Sequence, residues 1–277
     1  MKKITKLVIS GGGNKGFAML GSLQYLFENN ILDNIEEYWG TSIGSVLSLL
    51  LNIGYEPFDI FFELNKSDTI FNISEITINK FVSGIGLCPI HMFGMRVMKF
   101  FHMRYPDIHT FTELFNKTGK KLFVIGTNVN TLSQEIFSVE NTPDMKLIDA
   151  IEISCNLPFI FTRKIFNDIV YVDGGFTNNY PIDLADKGND LVLGIYIKGI
   201  YDKEISNEDI SFINWMTRLW AIPIVQLQSV KVNHTSPLVI NLPLVLNSSN
   251  EFDFASLNMK QRDKLHMYRS GYIQTEK

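Results

Sequence analysis

The sequence predicts an α/β fold in which a mostly parallel sheet is covered by helices. Three features carry the prediction. At the start of the chain a short apolar strand, a glycine turn and an apolar helix follow one another twice. Apolar runs of strand length then recur along the rest of the chain, separated by stretches long enough for helices. The composition, 45% hydrophobic and 19% charged over 277 residues, is that of a globular chain able to bury a large core.

"KLVIS" at 6–10 reads as the first strand and runs into Gly11-Gly12-Gly13. From Asn14 the period changes, with Phe17, Leu20, Leu23 and Phe27 on one helical face. "IEEYWG" supplies a second strand that ends at a serine turn, and Ile43 to Leu51 continues as an apolar helix. The middle, roughly 55–120, is rich in Phe, Met and Ile, holds three of the five histidines and is punctuated by "SGIG" at 83–86. It is expected to form helical cap elements over a site. Within it Thr110 and Glu113 have the spacing of a capping box, and Gly119 that of a helix stop. Sheet structure resumes at "KKLFVIGTNV", and Thr142-Pro143-Asp144 is expected to start a helix with proline in its first turn. "IVYVDGGF", "DLVLGIYI" and "SPLVINLP" read as the remaining strands, and an amphipathic helix ending near Gly271 closes the chain. The whole, residues 1–277, is expected to be a single domain.

A net charge of -4 argues against a nucleic-acid partner. Cys88 and Cys155 are far apart and lack metal-ligand spacing, so they read as buried free thiols of a reducing compartment. In "MKKITKLVIS" Lys6 breaks the apolar run before a signal-peptide core forms, which favours a first strand and a cytoplasmic protein. The apolar stretch "FINWMTRLWAIPIVQLQSV", 212–230, is interrupted by Arg218 and Pro223 and reads as a core helix rather than a membrane span. Its Trp215 and Trp220 keep an interfacial reading open.

Three motifs carry the chemistry. "GTSIG" places Ser42 between Gly40 and Gly44 at a strand-to-helix turn, the pattern of a nucleophile elbow, although serine is also an ordinary helix cap. "GGGNKG" at 11–16 satisfies a dinucleotide fingerprint, but the second strand lacks the acidic end that would bind a ribose. The same glycines suit an oxyanion hole, since they let backbone N–H groups point at developing negative charge. For the base, Asp173 with His234 or His266 would complete a Ser–Asp–His order, yet neither histidine sits at a convincing strand end. Asp173 itself does sit at the end of an apolar strand, in "YVDGG", and is a candidate base without a histidine.

"GGGNKG", "GTSIG" and "DGG", in this order, resemble the signature motifs of patatin-like phospholipases, and "SCNLPFIF" at 154–161 and Asn179-Tyr180-Pro181 extend the resemblance. It covers about residues 6–198. It implies a three-layer α/β/α sandwich and hydrolysis of lipid acyl esters by a Ser–Asp dyad. On this carry-over Ser42 is the nucleophile, Asp173 its base, and the N–H groups of Gly11, Gly12, Gly13 and Ile43 form the oxyanion hole. Lys15, Gly16, Gly40, Gly44, Gly174 and Gly175 are supporting motif positions. Many relatives carry an aspartate before the triple glycine, where this chain has Ser10, whose hydroxyl is expected to bond the loop instead. The implied substrate is a phospholipid or another acyl-ester lipid met at a membrane surface. No cofactor and no metal is implied, and no acidic loop of calcium-binding type occurs. An acyltransferase, a neutral-lipid hydrolase or a catalytically silent lipid-binding relative would carry the same motifs.

Overall fold

The computed structural model describes residues 2–66, 86, 88–200, 212–247 and 259–277. The first two strands, β1 (Ile4–Ile9) and β2 (Glu37–Thr41), lie parallel and each feeds a helix, α1 (Gly16–Glu28) and α2 (Ile43–Asn52). β3 (Lys121–Asn128) joins the other side of β2 in parallel. β7 (Leu191–Ile200) and β8 (Val239–Asn247) continue the parallel sheet beyond β1. The far end is antiparallel: β4 (Ser133–Ser138) pairs with β3, and β5 (Lys164–Phe166) with β6 (Ile169–Asp173). The sheet order is β5-β6-β3-β2-β1-β7-β8, with β4 on the outer edge of β3.

Side chains alternate across the sheet and divide the interior into two cores. Leu7, Ile9, Tyr38, Leu122 and Val124 join one, while Val8, Trp39, Phe123 and Ile125 join the other. The first core takes the apolar faces of α1, α2 and the helices of the middle segment, α3 (Pro57–Asn65), α4 (Ile90–His102) and α5 (Phe111–Thr118). It also takes α6 (Leu147–Ser154), while α10 (Gln261–Glu276) packs beside α1. A single helical turn, α7 (Gly175–Asn178), follows β6, and against the second core lie the short helix α8 (Ile182–Ala185) and the end of α9 (Phe212–Asn233). Helices on both faces of one sheet give the expected sandwich. Lys6, the charged residue in the first strand, is buried beside Glu37 at 3.6 Å and Asp190 at 3.2 Å.

Thr110 and Gly119 bound α5 as expected: both halves of the capping box form, and Gly119 closes the helix at φ 67. Other expectations change. The helix anticipated at Thr142 begins only at Leu147. Thr142 instead closes the turn after β4, with its N–H donating to the Ser138 carbonyl at 2.8 Å. β4 and β5 were not anticipated, because "SQEIFS" and "KIF" are short and half polar. α10 runs past Gly271 to Glu276, since this glycine packs against the Ala18 carbonyl of α1 rather than ending the helix. The expected core helix, α9, runs unbroken through Pro223, yet Trp215, Leu219, Ile222 and Val230 are exposed on it. Of "SGIG", only Gly86 lies within the described residues. Cys88 is half-buried and Cys155 buried, both as free thiols. Among the described residues no helix is long and apolar enough to cross a membrane.

Candidate active site

β2 ends at Thr41 and α2 begins at Ile43, so the whole turn falls on Ser42, at φ 53 and ψ -127. A side chain is strained there, and glycine would be the ordinary choice. The flanking glycines have a steric cause. A Cβ on Gly40 would meet the Gly44 carbonyl oxygen at 2.5 Å, and one on Gly44 would meet the Ser10 carbonyl at 2.6 Å. The turn is held from inside by Ser45, whose hydroxyl and N–H donate to the Ser42 carbonyl at 2.6 and 2.9 Å.

Sheet register brings Asp173 to the same place. β4 occupies one edge of β3, which leaves β2 and β6 to share the other. β2 stops at the Thr41–Ile125 pair, and β6 starts at the next residue of β3, with Asp173 opposite Gly126. The two strands therefore meet end to end, one delivering Ser42 and the other Asp173. A Cβ on Gly174 would lie 3.1 Å from Thr41 Cγ2, which shows how closely they abut.

Burial raises the Asp173 carboxyl to about 7. The Ser42 side chain and the Gly175 N–H, which donates to Oδ1 at 2.7 Å, pull it back only in part. Oδ2 is buried with no hydrogen bond of ordinary geometry among the described residues. The Ser42 side chain thus lies close enough to lower the carboxyl pKa without forming a hydrogen bond of ordinary geometry to it. Next to this pair the Cys155 thiol is fully enclosed, and burial followed by the Asp173 charge pushes its pKa well up, so it stays protonated.

The glycine loop lies against the elbow: a Cβ on Gly11 would be 3.2 Å from Ser42 Cβ, and one on Gly16 would be 2.7 Å from Ile43 Cγ1. Ser10 bonds the loop as expected, its hydroxyl donating to the Gly11 carbonyl at 3.0 Å and accepting the Ile197 N–H at 3.4 Å. Lys15 is buried, and its N–H donates to the Gly12 carbonyl at 3.0 Å in a short 3-10 turn, Gly13–Lys15. The Gly11 N–H is engaged by the Asn179 carbonyl at 2.9 Å and is withdrawn from the expected oxyanion set. The N–H groups of Gly12 and Gly13 have no partner among the described residues. Ile43 opens α2, where an N–H lacks an intrahelical acceptor. Both α1 and α2 point their positive N-terminal ends at this place.

The histidines lie elsewhere. His91 bonds Glu152 at 2.8 Å, His102 the Ile108 carbonyl at 3.0 Å, and His234 the Val230 carbonyl at 2.7 Å. His266 is exposed on α10, so the triad through His234 or His266 finds no geometric support.

Other residues at the site were given no individual role by the sequence, although Asn179 and the 154–161 run belong to the family resemblance. Asn179, whose carbonyl holds Gly11, donates through Nδ2 to Gln228 Oε1 at 3.1 Å, and Gln228 Nε2 donates to the Ile197 carbonyl at 2.9 Å. Gln228 thereby ties α9 to the glycine loop. Trp220 of α9 stacks on Phe159 at 5.6 Å and meets Phe176, three residues after Asp173, edge-on at 5.9 Å. A polar residue in the middle of an apolar run was the available hint for Gln228. Ser154 and Asn156 border Ser42 and Asp173 as well.

The profile of the family described as Patatin-like phospholipase matches residues 7–186. A probable lipid hydrolase of Invertebrate iridescent virus 6 is 37% identical over 187 residues, 65% of this chain and 63% of that protein. An uncharacterized protein, R571, of Acanthamoeba polyphaga mimivirus is 26% identical over 279 residues, 97% of this chain and 91% of that one. Among solved structures, VipD from Legionella pneumophila has the same fold, with a TM-score of 0.58 at 16% identity over 99% of this chain and 66% of that chain. The chain therefore spans less than two thirds of the iridescent virus protein and of VipD.

Proposed function

The chain belongs to the patatin-like phospholipase family, and from that premise we propose that it is a lipid acyl hydrolase of the phospholipase A type. Ser42 is its nucleophile and Asp173 its base. The observation that carries this reading is a buried carboxyl titrating near 7, set against a strained serine at the meeting point of two strands. An ordinary aspartate, with a pKa near 3.9, would be a poor base at neutral pH.

Asp173 takes the Ser42 proton as Oγ attacks the ester carbonyl. The N–H groups of Gly12, Gly13 and Ile43 stabilise the oxyanion, each such donor being worth about 3 kcal/mol. Collapse of the tetrahedral intermediate expels the alcohol, which takes the proton from Asp173, and leaves the acyl group on Ser42. Water, deprotonated by Asp173, then attacks the acyl-enzyme, and its proton returns to Ser42 as the fatty acid departs.

The substrate surface is a lipid bilayer reached through α9. Its exposed Trp215, Leu219, Ile222 and Val230 fall on one stripe, and residues 212–233 contain Arg218 and Lys231 but no acidic residue. Arg218 favours an anionic surface in a chain of net charge -4, whereas Lys231 is held by Asp183 at 2.8 Å. The α3–α5 segment caps the first core side. Its Cys88 exchanges backbone hydrogen bonds with Ile160 and Thr162, each at 2.9 Å, at the end of the "SCNLPFIF" run.

Fatty-acid release from mixed phospholipid vesicles, compared between the unmodified protein and Ser42→Ala, tests the reading. Release that vanishes in the variant supports it. Release from triacylglycerol emulsions but not from vesicles would move the substrate to neutral lipids. If neither protein releases fatty acid and a fluorophosphonate fails to label Ser42, the hydrolase reading is wrong.

A further inference from the structure

We propose that Ser154 is a positioning residue that holds the Ser42 elbow and the Asp173 turn in register with each other. The inference rests on reading Ser42 and Asp173 as a dyad. Their relative placement has to be set by something other than the chain between them, which is long and passes through the whole middle segment. β3 aligns the two strands but ends its pairing with β2 at Ile125. Beyond that point the segment leaving α6 takes over.

The end of α6 has carbonyls without intrahelical partners, a general property of helix C-termini. Here they are used on the DGG turn. The Ser154 carbonyl accepts the Gly174 N–H at 3.3 Å, and the Asn156 carbonyl accepts the Asp173 N–H at 2.9 Å. Asn156 also donates through Nδ2 to the Tyr171 carbonyl at 3.0 Å, on the same strand. The Ser154 side chain reaches the other way and accepts the Ser42 N–H at 2.9 Å. One residue thus holds the nucleophile's backbone with its hydroxyl and the base's turn with its carbonyl. Ser154 and Asn156 are both buried, so water offers no substitute partner for these groups.

Two consequences follow for the chemistry. With its N–H bound to Ser154, Ser42 is kept in its left-handed conformation and its hydroxyl at a fixed point beside the carboxyl. The same bond withdraws the Ser42 N–H from the oxyanion, leaving that work to Gly12, Gly13 and Ile43. Losing the Ser154 hydroxyl would free the elbow to relax, and a displacement of about 1 Å between reacting groups is enough to lower a rate about 10²-fold.

The test compares the unmodified protein, Ser154→Ala and Ser154→Thr in hydrolysis of a soluble short-chain aryl ester, in fluorophosphonate labelling of Ser42, and in amide hydrogen exchange at Ser42. For Ser154→Ala, kcat and the labelling rate are expected to fall about 10²-fold with KM within about twofold, while thermal unfolding stays cooperative. Ser154→Thr, which keeps the hydroxyl, is expected to recover most of the loss. Labelling of Ser154→Ala within about threefold of the unmodified protein would overturn the proposal, and so would equal losses in both variants, which would assign the effect to packing. If the unmodified protein neither turns over nor labels, the hydrolase reading fails, and hydrogen exchange alone decides about Ser154. Faster exchange of the Ser42 N–H in Ser154→Ala then supports the clamp, and unchanged exchange overturns it.

Discussion

The β1–α1 and β2–α2 junctions are neighbours built on one plan, a parallel strand turning sharply into a helix, yet they answer the turn differently. At the first, the left-handed conformation falls on Gly13, at φ 53, which accepts it without strain. At the second it falls on Ser42, also at φ 53, and the strain is borne by a residue with a side chain. A glycine turn exposes N–H groups and nothing else, so it suits binding a negative charge. A serine at the same φ projects a hydroxyl out of the turn. On the proposed reading, the two junctions, lying side by side, place the nucleophile next to donors for the charge its attack creates.

Removing the proposed base is the most severe way to break this arrangement. Asp173→Asn is expected to lower the rate of Ser42 acylation by about 10³-fold or more, read by fluorophosphonate labelling, because the hydroxyl then keeps its proton. The same variant is expected to melt at a higher temperature than the unmodified protein at pH 8. The folded-state pKa of Asp173 is raised, to about 7 from 3.8, so the native state holds its proton more tightly than the unfolded chain. Stability therefore falls as pH rises between those values, and the charged carboxyl is a burden above them. The gain in melting temperature should shrink towards pH 4.

Next in size is a contrast between glycines. Gly44→Ala would drive a methyl into the Ile9 and Ser10 carbonyls, which are fixed in the sheet, and is expected to destabilise the fold by about 3 kcal/mol, measured by urea unfolding. Gly12→Ala meets Met19 Cε at 3.1 Å, Ile197 Cγ1 at 3.2 Å and Lys15 Cβ at 3.5 Å, side-chain atoms rather than backbone. It should fold within about 1 kcal/mol of the unmodified protein yet lose about tenfold or more in kcat. Equal destabilisation by the two would erase the distinction between the junctions.

The pH profile sharpens the comparison further. Labelling of Ser42 is expected to rise with pH through about 7, the Asp173 value, and to fall about tenfold per unit well below it. A profile flat from pH 5 to 8 would remove Asp173 as the titrating base. The smallest effect is expected at Ser10. Ser10→Ala removes its bonds to Gly11 and Ile197 and should cost about 1 kcal/mol of stability, with kcat lowered only a few-fold.

Local chemistry made both junctions legible in the sequence. The spacing of Gly40, Ser42 and Gly44, the triple glycine before an apolar helix, and Asp173 at a strand end are each fixed by neighbours in the chain. The capping box at Thr110 was readable for the same reason. α9 was misread because composition shows that residues are apolar but not which of them face the core. That depends on where Gln228 and Trp220 find partners, on residues far away in the chain.

By itself the sequence determined the α/β class, the two strand–turn–helix units and the residue types that chemistry at a strand end requires, since these depend on period, backbone conformation and side-chain identity over a few residues. Only the tertiary structure decided that β6 ends against β2, that Asp173 is buried enough to titrate near 7, that the Gly11 N–H is already bound, and that Ser154 accepts the Ser42 N–H. Those outcomes depend on which buried polar groups meet once the sheet is assembled, and a hydrogen bond between distant residues leaves no periodicity for the sequence to show.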